Sequence, residues 1–161
     1  MKPNADTLAA AAKAAATKGP PPVHLWNPPF CGDIDMRIAR DGTWFYLGTP
    51  IGRAPLVKLF SSILKREGDA YFLVTPVEKV GITVDDAPLL AVDFDAIGTG
   101  TGQTLTFTTK TEDVATLGPD HPLRVERDPR TGEPSPYILI RSNLWALIDR
   151  KSFYRLIDLG C

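Results

Sequence analysis

The sequence predicts an α+β protein of two small domains, each an antiparallel sheet with one helix. Apolar and polar residues alternate over several short segments, which is typical of half-buried strands. One amphipathic helical pattern occurs in each half, over residues 56–64 and 153–157. The stretch Gly98–Gly102 separates the halves. We therefore expect an N-terminal Ala- and Pro-rich arm over residues 1–22, an α+β domain over 23–98 and a β-rich domain over 99–161.

Composition places the chain among ordinary globular proteins. Its 161 residues are 43% apolar and 23% charged, enough for a real core. Eighteen basic and 19 acidic residues nearly cancel, which argues against a nucleic-acid or membrane-binding surface. Two cysteines do not make a disulfide framework, and no apolar stretch approaches the roughly 20 residues of a membrane span. These features predict a soluble, cytoplasmic protein.

The N-terminal arm has high helix propensity from Met1 to Lys18 but no apolar stripe, with Asn4 or Asp6 as its cap. Gly19 and the prolines at 20–22 then end any helix and favour extended chain. We expect a linker, or an arm laid on the body of the protein.

The first domain begins with a predicted hairpin. Residues alternate from Asp33 to Ala39, Asp41-Gly42 supplies a tight turn, and Thr43–Leu47 returns as the partner strand. An amphipathic helix follows from Pro55, and Gly68 terminates it.

A three-stranded meander is predicted next, from Tyr71–Val74, Val80–Val84 and Leu90–Phe94. Strict alternation places Glu78 on the same side as Val80, towards the core or a cleft. Because burying a lone carboxylate is costly, Glu78 requires a ligand or a partner such as Arg53 or Lys79.

The second half carries short strand patterns and one closing helix. The predicted strands cover residues 103–108, 114–117, 123–127, 137–141 and 144–148. Residues 128–136 form a hairpin loop, Asp149 caps the last helix and Gly160 ends it.

Two segments echo each other. Arg53–Phe60 and Arg150–Ile157 agree in residue class at most positions without a gap, and each follows a strand that contains a tryptophan. This similarity indicates a duplication, although any two amphipathic helices can look alike. Arg53 and Arg150 would then stand at equivalent helix starts, where backbone donors and a guanidinium can hold a phosphate or carboxylate.

Three segments carry a family resemblance: WFYLGTPIGRAPLVKLF, TPVEKVGITVDDAP and LWALIDR. Together they resemble an uncharacterised proteobacterial family, domain of unknown function 1285. The resemblance implies a duplicated two-domain fold whose C-terminal half is similar to pleckstrin-homology-like domains. It also implies an interdomain site for a nucleotide-like ligand and a role in signalling. It carries over no catalytic residue, because no family activity is established.

Other chemical patterns are weaker than their structural alternatives. The GTGTG stretch precedes a strand pattern, so it fits a link better than a phosphate loop. The pairs Asp33/Asp35 and Asp93/Asp95 could serve a metal, but solvated strand faces look the same.

Neither histidine, His24 or His121, has a partner at zinc-ligand spacing. Cys31 could be a reactive thiol, although a small buried hydrophobe is the commoner role. We expect no metal and no cofactor.

The strongest combination pairs aromatic faces with charged groups, as a flat anionic ligand requires. It consists of Trp26, Trp44, Tyr46, Arg53, Glu78, Lys79 and Arg150. The sequence thus predicts a non-enzymatic ligand-binding or signalling module with a nucleotide-like ligand between its halves. The alternative is a protein-interaction adaptor that uses the second half's sheet, with the Pro-rich arm as a strap. The third hypothesis is that the protein is an enzyme.

Overall fold

The computed structural model describes residues 4–15, 23–98 and 102–159. Within these residues the chain is an α+β protein of two compact units with three α-helices. The units divide between Asp85 and Asp86, and the second also takes in the loop Arg40–Gly42. Each unit contains one six-stranded sheet.

The first unit contains α1 (Ala5–Ala15), a 3₁₀ turn (Val23–Leu25), α2 (Ala54–Ser62) and six strands. Its strands are β1 (Phe30–Ile38), β2 (Trp44–Tyr46), β3 (Thr49–Pro50), β4 (Leu64–Glu67), β5 (Ala70–Val74) and β6 (Lys79–Val84). The sheet order is β3-β2-β1-β6-β5-β4.

The second unit contains six strands followed by α3 (Arg150–Asp158). Its strands are β7 (Leu89–Ile97), β8 (Thr104–Thr109), β9 (Val114–Thr116), β10 (Leu123–Arg127), β11 (Pro134–Arg141) and β12 (Leu144–Ile148). The sheet order is β10-β11-β12-β7-β8-β9.

Both sheets are mixed, so the expectation of antiparallel sheets is wrong. In the first unit β1 runs parallel to β6, and in the second β7 runs parallel to β12. Neighbouring segments of the sequence suggest hairpins, which are antiparallel. The parallel pair forms where the first and last strands of a unit meet, and such a pair needs a long connection rather than a turn.

The two sheets share one strand order. Numbering the strands of each unit from first to sixth gives the order 3-2-1-6-5-4 in both. The helices differ, because α2 follows the third strand of its unit and α3 follows the sixth. The segments Arg53–Phe60 and Arg150–Ile157 therefore occupy different places in the two units, contrary to the predicted equivalence.

The predicted three-stranded meander is also wrong. β6 pairs with β1 and β5, whereas β7 pairs with β12 and β8 in the other sheet. Asp85 is tied to β1 instead of forming a hairpin turn: its N–H donates to the Ile38 carbonyl, and its carboxylate accepts from Arg37 Nε at 2.8 Å. The units thus divide before residue 98, the predicted boundary.

The β1–β2 hairpin is confirmed. Ile38 pairs with Trp44, and Gly42 takes a φ of +84°, which glycine adopts without steric cost. The hairpin between β10 and β11 and the cap of α3 are confirmed as well, since Asp149 Oδ1 accepts from the Ser152 N–H at 2.9 Å. Gly160, the predicted end of α3, lies outside the described residues.

The helix predicted to run beyond Leu64 is shorter than expected. α2 ends at Ser62, and residues 64–67 form β4, which pairs with β5. Gly68 is therefore not a helix terminator but part of a two-residue hairpin turn, with a φ of +62°. Pairing with β5 outweighs the helical period of the sequence.

The N-terminal helix packs on the first unit. Asn4 Oδ1 accepts from the Thr7 N–H at 2.9 Å, which makes Asn4 the cap. Ala5, Leu8 and Ala12 are buried at i, i+3 and i+7, and α1 packs against α2. These three residues form an apolar stripe, so the prediction that the arm has none is wrong. The predicted Pro-rich linker lies outside the described residues.

None of the described helices is long and apolar enough to cross a membrane.

Candidate functional site

The first unit carries a cavity of about 510 Å³ on β1, β5 and β6, within the size range of small-molecule sites. The lining residues that matter chemically are Phe30, Asp33, Tyr71, Phe72, Lys79 and Gly81.

Strand register assembles this cavity. Phe72 of β5 lies beside Gly81 of β6, and Gly81 lies beside Asp33 of β1. Residues paired across neighbouring strands face the same side of a sheet, so these three form one row. Phe30 lies beside Lys79 at one end of the same two strands.

Gly81 makes room for the Asp33 carboxylate. A Cβ atom at residue 81 would collide with Asp33 Oδ1 and come within 3.1 Å of its Cγ. The carboxylate therefore lies directly over the glycine, where it can accept a hydrogen bond from an amino or hydroxyl group in the cavity.

The positive charge of the cavity comes from Lys79. Its ammonium lies 4.8 Å from the Phe72 ring centroid and 3.1 Å from Glu67 Oε1, and its side chain is only 15% exposed. Lys65 Nζ lies 3.5 Å from the other oxygen of Glu67. Two ammonium groups thus share one carboxylate, and the cavity lining also includes the carboxylates of Asp33 and Asp69. The hydrogen bond from Lys79, with the charges of both lysines, holds the pKa of Glu67 below its usual value.

The apolar part of the cavity is aromatic. The Phe30 and Phe72 rings meet edge to face, with centroids 5.9 Å apart and planes at 83°. Phe30 is exposed, so part of this aromatic surface is open to a ligand.

A second cavity, of about 320 Å³, lies in the second unit at the start of α3. Its two arginines already have partners: Arg150 Nη2 lies 2.7 Å from Glu133 Oε1, and Arg40 donates to Ser135 Oγ at 3.0 Å. Arg40 also lies 3.2 Å from Asp86 Oδ2. An anion would have to displace these contacts.

The three predicted aromatic residues lie outside both cavities. Trp44 is 2% exposed and stacks on Phe60 in the core of the first unit. The Tyr46 hydroxyl accepts from the Ala5 N–H at 3.4 Å, and the Trp26 carbonyl accepts from Lys65 at 3.2 Å. These contacts give all three residues structural roles.

The predicted charged residues are distributed between the units. Lys79 lines the first cavity and Arg150 the second. Arg53 is exposed at the N-cap of α2. Glu78 is half-buried in a turn, where its carbonyl accepts from the Thr75 N–H at 2.9 Å. Lys79 pairs with Glu67, whereas the sequence had left Arg53 and Lys79 open as alternative partners of Glu78.

The sequence prediction missed Phe30, Asp33, Phe72 and Gly81 as members of one site. A glycine inside a strand pattern often marks a close approach of another group, and Gly81 was the one available signal. The partners on β1 could not be found, because β1 and β6 are far apart in the sequence.

The remaining candidates have ordinary roles. No group of three His, Cys, Asp or Glu residues in the described part of the chain could hold a metal ion. Arg155 donates to Asp93 and lowers the pKa of that carboxyl group, and His121 Nδ1 lies 3.0 Å from the Leu139 carbonyl. Cys31 is a free cysteine and is exposed, so the buried role that the sequence favoured for it is wrong. Three parts of the earlier candidates lie outside the described residues: Cys161, residues 99–101 of the GTGTG stretch and the side chain of His24.

The fold and the cavity define a class: a two-domain α+β protein with one small-molecule-sized cavity in its first unit. The chain belongs to the DUF1285 family. Residues 21–87 match the family model "Domain of unknown function (DUF1285), N-terminal domain", and residues 88–161 match "Protein of unknown function (DUF1285), C-terminal domain". The two matches meet close to the division between the sheets.

Two solved structures are similar to the chain. A DUF1285 family protein from Silicibacter pomeroyi is 66% identical, with a TM-score of 0.88; the match covers 94% of this chain and 83% of that one. A DUF1285 family protein from Shewanella baltica is 33% identical, with a TM-score of 0.59 and coverage of 77% and 91%. No curated protein matches the chain.

Proposed function

We propose that the protein is a non-enzymatic ligand-binding module that acts in signalling. Its ligand is a small molecule with a flat body, a hydrogen-bond donor and a negative charge, bound in the cavity of the first unit. A nucleotide is one molecule of this class. The observation that carries the proposal is the row of Phe72, Gly81 and Asp33 with the Lys79 ammonium beside it.

The aromatic pair provides the surface for the flat body. Bases stack on aromatic side chains without strong sequence preference, at about 1–3 kcal/mol per base. Phe30 is exposed beside Phe72, so a ring can lie against it. The carboxylate of Asp33, over Gly81, can accept from an exocyclic amine or a sugar hydroxyl.

The lysine pair provides the binding group for the anion. Because Glu67 lies between Lys65 and Lys79, a phosphate can pair with Lys79 while Glu67 remains paired with Lys65. Neither lysine then loses its counter-charge, and the exchange does not leave a buried charge unpaired.

A panel of nucleosides and their monophosphates in a thermal-shift assay tests this proposal. A ligand at about 100 times its Kd stabilises the folded protein by roughly 2.7 kcal/mol. Lys79→Gln should abolish the preference for the monophosphate over its nucleoside, whereas Asp33→Asn should weaken both. Lys13→Gln, at an exposed position of α1, is the matched control.

Flat melting curves for the whole panel, in folded protein, would refute ligand binding of this class. An unchanged phosphate preference in the Lys79→Gln variant would remove Lys79 from the site while leaving binding itself intact. The predicted position of the ligand between the two halves stays a prediction.

Three finer proposals accompany this one. The shared order 3-2-1-6-5-4 supports an origin of the two units by duplication, and superposition of the units strand by strand tests it. The sheet followed by a C-terminal helix supports similarity of the second unit to pleckstrin-homology-like domains; a structural search with that unit alone tests it. The exposed free thiol of Cys31 supports a reducing cytoplasm, which cell fractionation tests.

The second candidate function, a protein-interaction adaptor, is favoured by exposed apolar side chains on α3. Tyr154 and Ile157 are both more than half exposed. If the ligand panel fails, reversing this surface with Ile157→Lys should abolish binding of a partner protein without changing the melting temperature.

A further inference from the structure

Among the described residues, no strand pairs with the outer edge of β10 in the second sheet. β10 is the first strand in the order β10-β11-β12-β7-β8-β9, and all five of its residues are exposed. Leu123 and Val125 are 40% and 45% exposed. An open edge presents unpaired backbone groups to any strand that fits it.

The other edge strands are less suited to pairing. β3 has two residues and ends in Pro50, and β9 has three residues. β4 has four residues, and the first of them, Leu64, is buried. Short length and proline are two of the means by which proteins protect sheet edges. The segment LRVER of β10 has five residues, all of them exposed, and contains no proline.

The register of β10 on β11 determines which backbone groups face outward. The Leu139 N–H donates to the Pro122 carbonyl, and the Asp128 N–H donates to the Glu133 carbonyl. Hydrogen-bonded and non-bonded pairs alternate along an antiparallel ladder. The bonded pairs on β10 are therefore those of Arg124 and Glu126.

The remaining residues of β10 direct their backbone N–H and C=O groups to the open edge. These are Leu123, Val125 and Arg127. The prolines of β11 agree with this assignment, since Pro136 lies beside Val125 and Pro134 beside Arg127, where no donor is needed.

We infer that β10 pairs with β10 of a second copy of this chain, antiparallel about a two-fold axis at Val125. In this register Val125 meets its own copy, and Leu123 meets Arg127 of the second copy. All of these residues have outward backbone groups, so each pair exchanges both hydrogen bonds. An interface of this kind is self-complementary, as two-fold symmetry requires.

Charge complementarity selects a second copy as the partner. The same register sets Arg124 opposite Glu126 of the second copy, and Glu126 opposite Arg124. These are non-bonded pairs, in which side chains come closest and opposite charges stabilise the pairing.

The Arg124 side chain is already held on that face. Its guanidinium lies 4.5 Å from the Trp145 ring centroid and 5.8 Å from that of Tyr137. Arg124 Nε is 3.7 Å from Glu126 Oε1 on the same strand, so both charges stand side by side at the edge. Leu123 and Val125 lie on the opposite face of β10, where each can pack against the residue paired with it in the second copy.

Sedimentation across a dilution series tests the inference on the full chain. The wild type should show a concentration-dependent monomer–dimer equilibrium. Glu126→Arg places like charges opposite each other and should weaken association by more than about tenfold. Val125→Pro removes one outward N–H without touching a bond to β11, and it should do the same.

The double variant Arg124→Glu with Glu126→Arg reverses both charges and should restore the dimer. Asp158→Arg, a charge reversal at an exposed position of α3, is the matched control and should leave it unchanged. Circular dichroism checks that each variant is folded. If the double variant does not fold, Val125→Pro decides the matter alone.

A wild-type protein that is monomeric at every concentration would overturn the inference. The edge of β10 would then bind a strand of another protein or no strand at all. A dimer insensitive to both Glu126→Arg and Val125→Pro would overturn it too, because the contact would then lie elsewhere.

Discussion

The hydrogen bond from the Tyr137 hydroxyl to Asp86 should make the stability of the protein depend on pH. The residue is 6% exposed, and its hydroxyl donates to Asp86 Oδ1 at 2.8 Å. Burial, this hydrogen bond and the negative charge of Asp86 raise the pKa of Tyr137 from 10.0 to about 12. We predict that Tyr137→Phe lowers stability at neutral pH and loses this effect in alkali.

The sign follows from the direction of the pKa shift. A folded-state pKa above the unfolded value stabilises the protein fully below about pH 10, and this contribution is lost as the pH rises towards 12. Two pKa units correspond to at most about 2.7 kcal/mol, at 1.36 kcal/mol each. Loss of a hydrogen bond to a charged acceptor costs about 1.5–3 kcal/mol, so the two estimates agree in size.

Urea unfolding followed by tryptophan fluorescence measures the effect between about pH 8 and pH 12. The free energies of unfolding of wild type and Tyr137→Phe should differ by about 2 kcal/mol at the lower pH and converge at the higher. Tyr154→Phe, at an exposed tyrosine, is the control. A difference for Tyr137→Phe that stays constant over this range would refute the reasoning.

Three further predictions concern the free energy of unfolding in urea. Leu8→Ala should cost about 3 kcal/mol, because Leu8 is fully buried against the first unit; a cost below about 1 kcal/mol would mean that α1 does not pack. Gly68→Ala should cost about 1 kcal/mol, since its φ is +62° and no atom crowds it; an unchanged stability would contradict the left-handed turn. Asp149→Ala should cost about 1 kcal/mol by removing the α3 cap, whereas Ser152→Ala should add about 0.5 kcal/mol, because its buried hydroxyl has no partner among the described residues. Equal effects of these two changes would contradict the cap.

Little of the candidate site could be predicted from the sequence. Lys79, which the sequence analysis named beside the anomaly in the strand pattern at Glu78, lines the cavity. Trp44 was assigned to the ligand, but it stacks on Phe60, because an aromatic side chain on a strand is as useful to a core as to a site. The partners Phe30 and Asp33 become neighbours of Lys79 and Gly81 only through the parallel pairing of β1 with β6.

The fold was predicted as far as local signals extend. The β1–β2 hairpin, the strands of the second half and the cap at Asp149 all depend on residues a few positions apart. Where local signals competed, the prediction failed. Residues 64–67 continue the helical period of α2, yet they form β4 because β5 offers them a complete ladder.

Local patterns in the sequence therefore predict the α+β class, the β1–β2 turn, the cap at Asp149 and most of the strands of this DUF1285 protein. Three features are visible only in the tertiary structure. β7 belongs to the second sheet, each sheet contains one parallel pair of strands, and the two sheets share one strand order. The physical reason is the range of the forces involved. Turns and caps are set by the backbone preferences of adjacent residues, whereas the choice of strand partner depends on how much apolar surface the whole unit buries.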